Sequence, residues 1–183
     1  YLEWSGPYFQ VVLVPWRILS DQASALAFAD ELKRAPISRE RTTSISSALL
    51  FSRSMFAISG VVSDRRTIDV SGDGPNNDGR PIASIRDSTV AQGIVINGLP
   101  IVIDPTPTLG ISIEDYYRAC VIGGPGAFLV PVTAASEFEQ AIRRKLILEI
   151  AGLPTAIIAA RGPATADPPV DCMAGERARA TAN

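Results

Sequence analysis

Arg65-Arg66-Thr67-Ile68-Asp69-Val70-Ser71-Gly72-Asp73-Gly74-Pro75-Asn76-Asn77-Asp78-Gly79 is the stretch on which the fold turns. Its first half, centred on residues 67–71, is rich in β-branched side chains and reads as a strand. Its second half is a loop of Gly, Pro, Asn and Asp, the residues that favour turns. Pro81 then suits the first turn of a helix that carries Ile82, Ile85 and Thr89 on one face and closes at Gly93. Residues 93–103 (GIVINGLPIVI) form the next apolar run. They read as one buried strand bent at Asn97-Gly98, with a hairpin turning at that pair as the alternative. Strand, helix and strand in this order predict a parallel pair joined by a crossover.

Working outward, Tyr1 to Trp4 and residues 8–14 (YFQVVLV) are two short strands across a Ser5-Gly6-Pro7 turn, which predicts an antiparallel hairpin. Ser20 and Asp21 are N-cap residues for a helix carrying Ala25, Leu26, Ala29 and Leu32, ended by Pro36. A second helix starts near Ser44, with Ile45, Ala48, Leu49, Ser52, Met55 and Phe56 on one face. Both helices are amphipathic and are expected to lie on the sheet. Downstream, Ser112 caps a short helix over 112–121, with Asp115 three residues on. Gly123-Gly124-Pro125-Gly126 leads into a last strand over 127–132. Ser136 and Glu139 make a capping-box pattern for a final helix, with Phe138, Ala141, Ile142, Leu146 and Ile150 on one face and a stop at Gly152. Helix and strand alternate after the opening hairpin, so the fold class is α/β with a largely parallel sheet covered on both faces. Residues 153–183 lose all sustained period and read as an extended tail.

Composition removes whole classes of function. The chain of 183 residues contains no histidine and two cysteines. That excludes Ser-His-Asp and Cys-His nucleophiles, histidine proton shuttles and imidazole or Cys-only metal sites. Seventeen Lys and Arg against nineteen Asp and Glu, dispersed along the sequence, offer no footprint for nucleic acid. No stretch approaches the ~20 apolar residues of a membrane span. The sequence opens at Tyr1 and its methionines are Met55 and Met173, so a removed leader or a fragment is expected.

Chemistry in an open parallel sheet sits at the carboxyl ends of its strands, and the polar loop after residue 71 is the one to weigh. Asp69-x-Ser71-x-Asp73-Gly74 starts like an EF-hand loop, but Arg80 stands where the bidentate Glu belongs. Gly72, Gly74 and Gly79 have the wrong spacing for a dinucleotide turn, and Asp73 and Asp78 would repel a pyrophosphate. Gly123 to Gly126 lacks the Lys-Ser/Thr ending of a phosphate loop. Asp69, mid-strand, is expected to be buried and satisfied by backbone or by Arg65 or Arg66. Trp4 and Trp16 read as packing residues, and Tyr116 and Tyr117 as one buried and one exposed.

The run from Arg65 to Asn77, with Trp4-Ser5-Gly6 before it and Cys120-Val121-Ile122-Gly123-Gly124-Pro125-Gly126-Ala127-Phe128 after it, resembles a bacterial family of uncharacterised proteins related to the von Willebrand factor type A domain. Ala141-Ile142-Arg143-Arg144-Lys145-Leu146 and Asp171-Cys172 agree in order. The resemblance implies a three-layer α/β/α, Rossmann-like domain over residues 1–152 with an antiparallel edge hairpin. It also implies a metal-ion-dependent adhesion site built from an Asp-x-Ser-x-Ser loop after the first strand, a Thr in a later loop and an Asp after the fourth strand. Thr43 matches the second piece and Asp73 the third. The first piece does not occur, so this chain reads as an N-terminally truncated member whose central first strand is missing, a gap that pairing of the flanking strands would close. Arg41 and Thr42 replace the glycines expected before the Thr.

Under this resemblance Thr43 and Asp73 are metal ligands for Mg²⁺, or Mn²⁺ or Ca²⁺, once the missing motif is supplied. Ser71, Asn76 and Asn77 are candidates for contacts to the ligand or to its supporting shell. From the residues alone, Asp73-Gly74 reads first as a turn and Thr43 as a helix N-cap. Cys120 and Cys172 are two separate thiols in a reducing compartment, or a disulfide tying the tail to the domain in an oxidising one. The leading reading is a non-enzymatic, periplasmic or secreted interaction module that captures an acidic residue of a protein partner. The alternatives are a metal-dependent hydrolase or phosphatase using Asp69 and Asp73, and a scaffold with a degenerate metal site.

Overall fold

The computed structural model describes residues 1–38, 42–103, 109–151 and 170–182. Arg41, Gly152 and residues 153–169 of the expected tail lie outside the described residues. The described part is a mixed α/β structure of six helices, a two-stranded parallel sheet and a two-stranded antiparallel hairpin.

The stretch that opened the reading forms β3 (Arg66–Gly72), followed by α3 (Ile82–Val90) and β4 (Ile94–Pro100). The pair is parallel, in register from Arg66 opposite Ile94 to Gly72 opposite Pro100. Asn97-Gly98 makes no hairpin turn. The Asn97 side chain accepts the Phe128 N–H at 3.2 Å. A Cβ on Gly98 would lie 3.0 Å from both Ile122 and Tyr117, so glycine here permits packing across the sheet.

The expected strand over 127–132 is present as isolated parallel bridges, Leu129 to Gly98 and Val132 to Ile101. Pro100 explains the interruption: it has no N–H to give the ladder, while Gly98, Val130 and Val132 donate their bonds on either side.

β1 (Leu2–Trp4) and β2 (Gln10–Val12) form the predicted hairpin. It does not pair with β3. A cleft of about 490 Å³ separates the two, lined by residues of β1, by Thr42 and Thr43, and by Ser71, Gly72 and Asp73. The turn of the hairpin is tied to the far side of this cleft: the Ser5 hydroxyl donates to Thr42 O, and Ser44 N–H to Ser5 O, both at 2.6 Å.

α1 (Gln22–Arg34) is capped by Asp21 and α2 (Ile45–Ala57) by Ser44, as the sequence predicts. α2 buries Ile45, Ala48 and Leu49 in the core beside Ile68, Val70, Ile85, Ile94, Ile96, Tyr116 and Tyr117. α1 departs from expectation: none of its residues is buried and Leu26 is 57% exposed. α4 (Ile113–Tyr116), capped by Ser112, continues as a π-helical turn over Tyr117–Val121. Both Tyr116 and Tyr117 are fully buried there, so the expected exposed partner of the pair is corrected.

α5 (Phe138–Ala151) follows a 3₁₀ turn, Ala135–Glu137, which includes Ser136 and takes the place of a capping box. The expected apolar face is buried only in part: Ala141 is buried and Ile142 packs beside it on the core, whereas Leu146 is 46% and Ile150 78% exposed and Lys145 is buried instead. The physical reason is electrostatic. Lys145 ion-pairs with Asp69 of β3 and lies 3.6 Å from Glu149, and that contact sets the rotation of the helix. Asp69 is therefore partnered by Lys145 and, against expectation, is not buried, its side chain being 38% exposed; Arg65 donates instead to Glu149 O at 2.7 Å and Arg66 to Gln92 O.

Burial first, and then the charge of Asp69, hold the Glu149 carboxyl above its ordinary range, and Lys145 offsets this in part. A carboxyl raised in the folded chain keeps protons that the unfolded chain has released. Stability on this account is present below the unfolded value and falls as pH rises through the folded one. Glu149→Gln is thus expected to stabilise by a fraction of a kcal/mol near neutral pH and to have no effect at about pH 3, read from urea midpoints at the two pH values.

The tail is not extended throughout. Ala174–Ala182 is a helix, α6, and Cys120 and Cys172 form a disulfide with sulfurs 2.06 Å apart. Ala, Gly, Arg and Thr give α6 no apolar period for a sequence reading to find; what holds it is the covalent bond and a set of polar contacts. No helix among the described residues is long and apolar enough to cross a membrane. A disulfide is consistent with an extracytoplasmic location.

Candidate functional site at the carboxyl end of β3

β3 delivers its polar residues to the cleft because its apolar ones, Ile68 and Val70, alternate onto the core. Ser71, Gly72 and Asp73 reach the cleft wall where Thr42 and Thr43 arrive from the segment before α2. Gly72 is required by close approach: a Cβ would lie 2.6 Å from the Tyr117 hydroxyl and 3.5 Å from the Trp4 ring.

Thr43 and the loop after Asp73 are bound to each other in both directions. Thr43 N–H donates to Asn77 Oδ1 at 2.9 Å. Asn77 N–H and Asp78 N–H return bonds to Thr43 O at 2.9 and 3.3 Å. Gly74 lies close as well, its Cβ position 3.9 Å from Thr43 Oγ1. The two sequence-predicted ligand residues therefore share one wall of one cleft, and Asn77 is the fastener between them.

Asn76 is fully buried and uses its whole side chain. Its Oδ1 accepts Ser46 N–H at 3.0 Å at the start of α2, satisfying one of the amides a helix leaves open there. Its Nδ2 donates to Asp78 O, Arg80 O and Glu176 Oε1 at 3.1, 3.3 and 2.7 Å. Its own N–H donates to the Tyr116 hydroxyl at 3.2 Å, and that hydroxyl donates to Cys172 O at 3.3 Å. Asp78 is salt-bridged to Arg179 at 2.7 Å.

The charges leave a signature on two phenols. Burial, and then the charge of Glu176, raise the Tyr116 hydroxyl well above its usual range. Tyr117 is raised further by complete burial and then by Asp73. The Tyr117 hydroxyl has no hydrogen-bond partner among the described residues.

Chemically the wall offers the hydroxyls of Thr43 and Ser71 and the carboxylate of Asp73, all oxygen donors of the type a hard divalent cation takes. No three His, Cys, Asp or Glu side chains converge among the described residues, so a cation here would need further oxygen ligands beside these. Asp69 is not part of this set, since its carboxylate is engaged with Lys145 under α5.

Lys145, Glu176 and Arg179 were not singled out by sequence. Lys145 carried one signal, a cation four residues after Ala141 on the face that packs, matching the acid in the middle of a strand. Glu176 and Arg179 carried none, because their partners lie about a hundred residues away.

Neither a curated protein nor a solved structure matches the chain. The model of the family described as "Protein of unknown function (DUF1194)" matches residues 1–154, and the chain belongs to that family.

Proposed function

We propose that this chain is a non-enzymatic interaction module of the von Willebrand A type, exported to the periplasm or beyond, whose cleft between β1 and β3 forms part of an adhesion-type cation site. One observation carries the reading: Thr43 and Asp73, drawn from segments thirty residues apart, line the same cleft at the carboxyl end of a parallel strand and are fastened together through Asn77. That is the position at which open α/β sheets bind ligands.

In the finer fold reading, the domain is a three-layer α/β/α sheet in which a strand carrying Asp-x-Ser-x-Ser lies between β1 and β3. The unpaired facing edges and the cleft between them support it. Asp73 would act directly or through water, Thr43 through its hydroxyl, and Ser71 beside them. A divalent cation, Mg²⁺ or Mn²⁺ or Ca²⁺, supplies positive charge and an open coordination position for a partner's carboxylate. Asn76 and Asn77 hold the loop and leave the donors free. The engagement of Asp69 by Lys145 favours this module over a hydrolase that would pair Asp69 with Asp73.

Isothermal titration of Mn²⁺ into the complete protein and into its Asp73→Ala variant tests the reading. We expect binding by the parent and at least tenfold weaker binding by the variant. Equal binding, or none by the parent, overturns it.

A further inference from the structure

α6 rests directly on the loop that carries the candidate site, and few things hold it there. Glu176 accepts the Asn76 Nδ2–H at 2.7 Å, and Arg179 pairs with Asp78 at 2.7 Å. Gly175 is pressed so closely on the loop that a Cβ would lie 2.1 Å from Asn76 O. Its remaining ion pair, Arg177 with Asp171, is internal to the segment. A nine-residue helix is marginal by itself in water, and exposed ion pairs add little. The strong attachment is the disulfide from Cys172 to Cys120, which is fully buried in the π-helical turn next to Tyr116 and Tyr117.

We infer that the Cys120–Cys172 disulfide is a redox latch, which in its oxidised form holds α6 against the Asn76–Asp78 loop and on reduction lets both loosen together. Cys172 is the less buried of the two cysteines, so the attack is assigned to its side. A thiolate of a dithiol reductant attacks its Sγ, the bond to Cys120 breaks, and Cys120 leaves as thiolate. The second thiol of the reductant then displaces Cys172. Two electrons and two protons pass to Cys120 and Cys172, which end as thiols, and the reductant ends as a disulfide. With α6 released, Asn76 loses its charged acceptor and Asp78 its cation. The same loop donates two of its amides to Thr43 O, so the wall bearing Thr43 and Asp73 loosens with it. The consequence for a bound cation rests on the function proposed above; the latch does not.

Hydrogen exchange of the full chain, free of divalent cations, separates the two. The measurement compares oxidised protein, protein reduced with dithiothreitol, and oxidised Gly175→Ala, in which the added methyl pushes α6 off the loop with the disulfide intact. We expect the amides of Asn77, Asp78 and α6 to exchange at least tenfold faster after reduction, with those of β3 and β4 unchanged. Gly175→Ala should reproduce the change in the loop. Retained protection of α6 after reduction overturns the latch, as does a released α6 with an unchanged loop, or equal loss of protection throughout β3 and β4. Absence of cation binding in a separate Mn²⁺ titration would overturn the proposed function and leave the exchange result standing.

Discussion

Alanine in place of Lys145 is expected to destabilise the chain by about 1–3 kcal/mol, because it removes a buried ammonium and its packed stem from between Asp69 and Glu149, carboxylates that solvent still reaches in part. The Lys145 side chain is 5% exposed and Asp69 38%. The ammonium also lies 5.9 Å from the centre of the Phe128 ring, close enough for a cation–π contribution. With it gone, Asp69 and Glu149 face each other across a cavity, and the repulsion that already raises the Glu149 carboxyl is unopposed. Replacing both members of the pair, Asp69→Val with Lys145→Met, removes charge and attraction together and is expected to remain within about 1 kcal/mol of the parent. Urea unfolding of the parent, single and double variants measures this. Equal losses in the single and double variants would show that packing, and not charge, is the source.

Asn76→Ala is the second substitution expected to be severe, at about 3 kcal/mol. Four hydrogen bonds end at this side chain, and the groups left behind are the buried Ser46 N–H at the start of α2 and three partly buried acceptors, the carbonyls of Asp78 and Arg80 and Glu176 Oε1. A buried donor without a partner carries its full desolvation cost, so the amide of Ser46 alone accounts for a large share. Asn76→Asp keeps the acceptor for Ser46 but sets a second carboxylate against Glu176. It should recover part of the loss at most. Thermal unfolding of the two variants, with α2 followed by far-UV circular dichroism, checks the order. Alanine behaving as well as aspartate would mean that the Ser46 bond contributes no more than the repulsion from Glu176 takes away.

The elements legible in the sequence are those whose cause is local. β3, α3 and β4 follow from β-branched runs, Pro81 and Gly93; α2 follows from Ser44 and the spacing of Ile45, Ala48 and Leu49. What escaped has a distant cause. Pro100 sits at the end of an apolar run, and only the segment lying parallel beside it, with Leu129 opposite Gly98 and Val132 opposite Ile101, shows that a ladder bond is lost there. The burial of Lys145 on α5 is matched by Asp69, seventy-six residues before it, so the apolar residues alone, Ala141 and Ile142 among them, gave only part of the packed face. α6 has no apolar stripe at all. At the candidate site, Thr43 and Asp73 could be named, while Glu176 and Arg179 belong to a segment whose place depends on a covalent bond between residues 52 apart.

That bond also changes what kind of object the chain is. From Cys120 to Cys172 the polypeptide is a closed ring, and α6 is a short tail leaving the ring at its seam. A single cleavage of the backbone anywhere inside the ring opens it without dividing the molecule. The stretch between α5 and Cys172 can therefore differ in length, or be nicked, while the tail that touches Asn76 stays tethered at the same end.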